Sequence, residues 1–302
     1  MNARSIVVCA LVAASALLLA GCETVGTITD IGVAAGTITE SQGESIQKSA
    51  KAVEKSFEDI TPEQEYYIGR AVAAVVLDTY PPYPEAKAND YVNLLGQSLA
   101  RASDRPETFG GYHFVVLDTD DINAFAAPGG LVLVSRGLLR CADGEDAAAA
   151  ILAHEITHVA KKHGLQAIKT SRVNAALTSV ALTAAQTAGS EEVAALTSTF
   201  EGSIADITST LVNSGYSRAL ESEADRGAVA ILRRVGYDPA ALVRMLKIMD
   251  RRLKPGGPDF AKTHPDPEDR IKDVEKALAG KAAAPSPPGQ RAARYAAALG
   301  KI

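Results

Sequence analysis

The chain has 302 residues, 47% of them hydrophobic and 22% charged, which suffices for one sizeable core with tails. Its net charge of -5 argues against nucleic acid as a partner, because phosphate binding draws on a surplus of lysine and arginine. With no tryptophan and 5% aromatic residues, the composition predicts a helical core packed from Ala, Leu and Val.

Arg4 and the apolar run from Ile6 to Ala20 form the charged and hydrophobic regions of a secretory signal, too short for a membrane span. The run ends in Leu19-Ala20-Gly21-Cys22, which resembles the bacterial lipobox. That resemblance implies loss of residues 1–21 and lipidation of Cys22, hence a membrane partner through a lipid anchor. Glu23, in place of Asp, implies the outer membrane as destination. The competing reading is cleavage at a small-residue site beside an incidental cysteine. With Cys9 and Cys22 so assigned, Cys141 is left alone and no internal disulfide is expected.

Residues 22–60 are rich in Gly, Thr, Ser and Glu and read as a tether that turns helical around Ser45 to Phe57. Thr61-Pro62-Glu63-Gln64 is a capping box with proline at the first helical position, opening a helix to about Thr79. A second helix is predicted from about Ala86 to Ala102. Strands follow at Tyr112–Asp118, Ala124–Ala127 and Leu131–Val134, with Pro128-Gly129-Gly130 turning between the last two. Asp143-Gly144-Glu145 then opens an Ala/Ile/Leu-rich helix whose stop signal is Gly164 after the basic His163. The Ala/Thr/Ser-rich stretch between Gly164 and Gly215 is too interrupted to span a membrane and reads as two helices packed on the core, serving as a lid. Helices at about Tyr216–Val235 and Pro239–Leu253 are punctuated by Gly236 and Asp238-Pro239. Residues 281–302 read as an Ala/Pro-rich tail, with a short helix from Arg291.

The helix after Gly144 carries His154-Glu155-Ile156-Thr157-His158. At about 100° per residue, His154 and His158 share one face one turn apart, so both can ligate one zinc ion while Glu155 reaches a water as general base. A catalytic zinc takes three protein ligands and keeps one position open. His163, five residues past His158, lies about 140° off that face and reads as a helix C-terminal residue favoured by the dipole. The better third ligand is Glu221 in Ser217-Arg218-Ala219-Leu220-Glu221-Ser222-Glu223-Ala224-Asp225. Asp225, four residues on, shares its face and can accept from the free ring N–H of a ligand histidine, His154 above all. Glu223 points away towards solvent, and His113 reads as structural.

Taken with Asn123-Ala124-Phe125-Ala126-x-Pro128-Gly129-Gly130, these two segments resemble the HtpX and CAAX-prenyl-protease superfamily of gluzincin metallopeptidases. Within it the soluble bacterial envelope branch, the BepA/LoiP-type periplasmic metalloproteases, is the most similar, over about Thr61 to Gly280. The resemblance implies an α+β, predominantly helical, zincin-like domain over 61–280 with a small β-sheet beside the active helix. It implies one zinc per subunit and cleavage of peptide bonds in misfolded or misassembled outer-membrane and periplasmic proteins. It also implies that His264, in Thr263-His264-Pro265-Asp266-Pro267, reaches the zinc as a fourth, inhibitory ligand; the other reading is a turn histidine held by backbone.

Zinc peptidases bind extended substrate along an edge strand, and Leu131, Val132, Leu133 and Val134 are assigned that role, a plain hairpin being the alternative. Arg218 is one candidate to steady the oxyanion. Two other functional classes stay open at this stage: a chaperone-like client-binding zinc protein with little proteolysis, and a structural zinc protein.

Overall fold

The computed structural model describes residues 60–168, 215–253, 267–278 and 288–302, together with His264 and a few isolated positions between 30 and 44. The signal segment with Cys22, the tether helix at 45–57, most of the lid segment and the Pro/Ser-rich 279–287 lie outside these residues. Two compact units are present, Met1–Asp59 with Ile168–Ser203 and Ile60–Ala167 with Ile204–Ile302, and every element below belongs to the second.

Helix α1 (Pro62–Thr79) opens as its sequence demands. Thr61 Oγ1 accepts from Gln64 N–H at 3.2 Å, and Gln64 Oε1 accepts from Thr61 N–H at 2.9 Å, satisfying two end groups reciprocally. Helix α2 (Ala86–Ala100) buries Ala88, Val92, Leu95 and Leu99, a spacing of three and four that makes one apolar stripe.

Strands β1 (His113–Leu117), β2 (Ala124–Ala127) and β3 (Leu131–Ser135) form a mixed sheet in the order β1-β3-β2. β3 runs parallel to β1, with Phe114 opposite Val132, and antiparallel to β2, with Phe125 opposite Leu133. Phe114, Val116, Ala124, Ala126, Val132 and Val134 belong to the main core with α2, and Leu117, Phe125 and Leu133 pack with Ala73 and Val76 of α1 on the other face. A central strand covered on both faces must be apolar throughout, which is what Leu-Val-Leu-Val encodes.

This topology corrects one expectation. Leu131, Val132, Leu133 and Val134 are not an edge: they are bonded on one side by β1 and on the other by β2. β1 has no open edge either, since its Phe114 and Val116 amides donate to Asn93 and Asn89 of α2 at 3.1 and 3.0 Å, and its Val116 carbonyl accepts from Tyr83 at 2.7 Å. Among the described residues, the remaining edge is β2. The bond from Ser135 N–H to Asn123 C=O sets the ladder phase, so Phe125 and Ala127 bond β3 while the Ala124 carbonyl and both backbone groups of Ala126 point outward.

After a one-turn helix α3 (Arg136–Leu139), helix α4 (Glu145–Ala160) runs through the core, and only Asp146 and Ala160 along it escape full burial. It ends earlier than its glycine signal suggests. Lys162 adopts a left-handed φ of 57°, and a new helical stretch opens at His163. Helix α5 (Arg218–Val235), capped by Ser217 and closed by Gly236 at φ 76°, lies along α4. The crossing is close: a Cβ on Gly227 would stand 2.3 Å from Thr157 Cγ2. Helices α6 (Ala240–Arg252) and α7 (Pro267–Leu278) pack on each other and on this pair.

Residues 288–302 are not a tail. Helix α8 (Pro288–Leu299) is part of the same unit because Leu299 is buried, Arg291 pairs with Asp146 at 2.7 Å, and Arg294 Nε donates to Glu145 at 2.6 Å. Two arginines thus sit on the acids at the positive end of α4, and the compact unit extends beyond 280 to the C-terminus. Among the described residues no helix is long and apolar enough to cross a membrane.

Candidate metal centre

α4 and α5 bring His154, His158 and Glu221 to one point, and the segment before α7 adds His264. All four are buried, and one donor atom from each lies within 4.8 Å of the others. The two Nε2 atoms of His154 and His158 are 3.0 Å apart. Glu221 Oε2 is 3.5 Å from His154 Nε2, and Glu221 Oε1 is 3.4 Å from His158 Nε2 and 2.7 Å from His264 Nδ1. A tetrahedral zinc with ligands at about 2.0–2.2 Å sets its donors roughly 3.3–3.6 Å apart, close to this spacing.

Proton-mediated bonding alone does not satisfy the cluster. Among the described residues, Glu221 Oε2 is buried without a hydrogen-bond partner, and so is the Oε2 of Glu155, the chain neighbour of His154. Two imidazole nitrogens and a carboxylate closed off from water are a zinc donor set, and the site fits one zinc ion.

Charge follows the same geometry. Burial would raise the Glu221 carboxyl, but His264 and His158 hold it well below the usual carboxylate range. Burial and Arg270 press His154 towards its neutral form, yet Asp225 and Glu221 together keep its pKa at about 9. Burial drives His158 the other way, down to about 3. Glu155 is 2% exposed, and burial raises its carboxyl above the ordinary value, the direction a general base needs.

Asp225 Oδ1 stands 3.0 Å from His154 Nδ1, on the side of the ring away from the cluster. Three further groups at the site were not legible in the sequence. Arg270, on the first turn of α7 and 4% exposed, donates from Nε and Nη2 to the two oxygens of Asp225 at 3.0 and 2.7 Å, and its Nη1 is 3.7 Å from Glu221 Oε2. Its only sequence signal is the distance of six residues from His264. Tyr216, just before the cap of α5, stacks on the His158 ring at 4.2 Å with an interplanar angle of 19°, and burial pushes its phenol far up.

His163 is the third. Instead of facing solvent at a helix end it is fully buried, with Nδ1 at 2.9 Å from His158 Nδ1. Glu223, read as solvated, is half-exposed but lies 3.4 Å from His163 Nε2. Arg218 is 80% exposed and pairs with Asp269 at 3.1 Å, so it does not reach the cluster. His113 bonds Gly110 C=O at 2.9 Å, a local contact within its own turn.

Sequence comparisons agree with this geometry. Peptidase family M48 matches residues 86–278, which include all four donors and Glu155. The Beta-barrel assembly-enhancing protease of Escherichia coli K12 is 32% identical over 217 residues, covering 70% of this chain and 43% of that protein. The Mitochondrial metalloendopeptidase OMA1 of Schizosaccharomyces pombe is 30% identical over 162 residues, 52% of this chain and 43% of that one. The Metalloprotease YcaL of Escherichia coli K12 is 27% identical over 240 residues, 77% and 81% of the respective chains. The chain thus spans under half the length of the first two relatives.

Proposed function

Because the chain belongs to peptidase family M48, we propose that it is a zinc-dependent endopeptidase of the bacterial cell envelope that degrades misfolded or misassembled outer-membrane and periplasmic proteins. The observation that carries this reading is the convergence of His154, His158, Glu221 and His264 within 4.8 Å, with the unbonded Oε2 of buried Glu155 beside them.

When bound, zinc supplies Lewis acidity towards a scissile carbonyl and acidifies water. His154, His158 and Glu221 would hold the ion. Glu155, whose Oε2 has no hydrogen-bond partner among the described residues and whose carboxyl is raised by burial, takes the proton of the attacking water and returns it to the leaving amine nitrogen. Asp225 accepts from His154 and fixes its ring, while Arg270 fixes Asp225. An extended peptide adds to the outer edge of β2, where the Ala124 carbonyl and the N–H and C=O of Ala126 are oriented for it beside α4. Such backbone pairing reads an unfolded strand, not a particular sequence, which suits clients that have failed to fold.

His264, the fourth donor of the cluster, would fill the remaining zinc position and close the site, so turnover would require its withdrawal. The lipobox-like Leu19-Ala20-Gly21-Cys22 supports a lipid anchor, with Glu23 favouring the periplasmic face of the outer membrane. The likeness to a protease named for enhancing β-barrel assembly supports outer-membrane clients.

The test is casein hydrolysis by the zinc-loaded full chain beside Glu155→Gln. Loss of about a hundredfold or more with zinc content unchanged is the expected result. Absence of turnover in every zinc-replete form would instead favour a client-binding zinc protein.

A further inference from the structure

His158 has two ring nitrogens, and the cluster uses only Nε2, which is 3.0 Å from His154 Nε2 and 3.4 Å from Glu221 Oε1. Its Nδ1 is met by His163 Nδ1 at 2.9 Å. The equivalent atom on His154 is met by the Asp225 carboxylate at 3.0 Å and by Arg270 Nη2 at 3.2 Å, so the two histidines are supported by different chemistry.

An Nδ1···Nδ1 pair at that distance holds one proton between two nitrogens. A histidine that ligates zinc through Nε2 as a neutral imidazole carries its proton on Nδ1 and donates it outward. His163 Nδ1 is then the acceptor, and the proton of His163 sits on Nε2, which is 3.4 Å from Glu223 Oε2 but makes no hydrogen bond among the described residues. The backbone makes this meeting happen. Continued helix would carry His163 about 140° away from His158. The left-handed Lys162, at φ 57°, breaks α4 and turns the chain so that His163 is buried against His158.

We propose that His163 is the positioning residue for the zinc ligand His158, fixing its tautomer and ring orientation. This rests on the zinc site described above. It differs from a merely space-filling role in one respect: what matters is an acceptor at the place of Nδ1. Asparagine puts its carbonyl oxygen at that place, glutamine carries it one carbon further out, and leucine fills the volume without an acceptor.

The experiment is zinc affinity by chelator competition on the full chain, with the visible spectrum of the cobalt-substituted form, for wild type, His163→Leu, His163→Asn and His163→Gln. His163→Leu is expected to lose about 10–100-fold in zinc affinity and to alter the cobalt bands, His163→Asn to retain most of both, and His163→Gln to behave like His163→Leu. Wild-type affinity and spectrum in His163→Leu would overturn the assignment. Should His163→Leu fail to fold, equal affinity in His163→Asn and His163→Gln would overturn it just as well. A wild-type chain that takes up neither metal overturns the zinc reading itself, a failure recognisable because it appears before any substitution is made.

Discussion

Nδ1 of His264 stands 2.7 Å from Oε1 of Glu221, closer than any other contact among the four clustered donors. Glu221 lies within α5, capped and packed along α4, whereas His264 stands three residues before Pro267, the first residue of α7. The contact therefore joins a ligand carried on a helix to one that lies outside any helix.

Replacing His264 by alanine is expected to raise casein turnover while the other three ligands keep zinc. If the closed state is favoured by about 1.4 kcal/mol or more, the gain is roughly tenfold or greater. Zinc content measured on the same sample separates the alternatives: loss of metal with no gain in turnover would make His264 an ordinary structural ligand.

Arg270→Ala is expected to destabilise the metal-free chain by about 3–5 kcal/mol, because Asp225 and Glu221 lose the buried cation that compensates them. Zinc brings positive charge to the same place, so the loss should be smaller in the zinc-loaded protein. Urea midpoints with zinc and with chelator make the comparison, and an equal loss in both forms would contradict it.

Acid should weaken the fold through Glu145. Burial alone would raise this carboxyl, but Arg294, Tyr237 and Tyr91 hydrogen-bond it and bring it below its ordinary value. A carboxyl lower in the folded than in the unfolded chain stabilises fully above the unfolded pKa, near 4.3 for glutamate, and loses that contribution as pH falls through the folded value. Melting temperatures from pH 7 to pH 3 should fall more steeply in wild type than in Glu145→Gln, and parallel curves would assign the acid sensitivity to other groups.

Gly69 is where α1 meets the turn after β2: a Cβ there would stand 1.8 Å from the Pro128 carbonyl oxygen. Gly69→Ala should cost about 1–3 kcal/mol of stability as α1 moves off that turn. Because the turn ends the proposed substrate edge, KM for an extended peptide should rise with zinc content unchanged. An effect on kcat alone would place the binding edge elsewhere.

Much of this protein is written locally. The capping box at Thr61, the three- and four-residue spacing in α2, the alternating strands and the four-residue steps from His154 to His158 and from Glu221 to Asp225 are all short-range patterns. Helix and strand periodicity convert them directly into faces, so the main helices, the three strands and the pairing of His154 with His158 were legible in the chain, while the zincin-like fold came from the family resemblance. What joins distant segments was not. An apolar run looks the same whether it lies at an edge or between two strands, so only the sheet order moved the open edge from Leu131–Val134 to Ala124–Ala127. Arg291 and Arg294 look like tail residues until the acids of α4 meet them. Arg270 is one arginine among many until α7 docks, and a single left-handed residue, Lys162, turns His163 from a helix end into the partner of a zinc ligand. Those outcomes depend on which surfaces desolvate together, a property of the packed whole that no window of sequence contains.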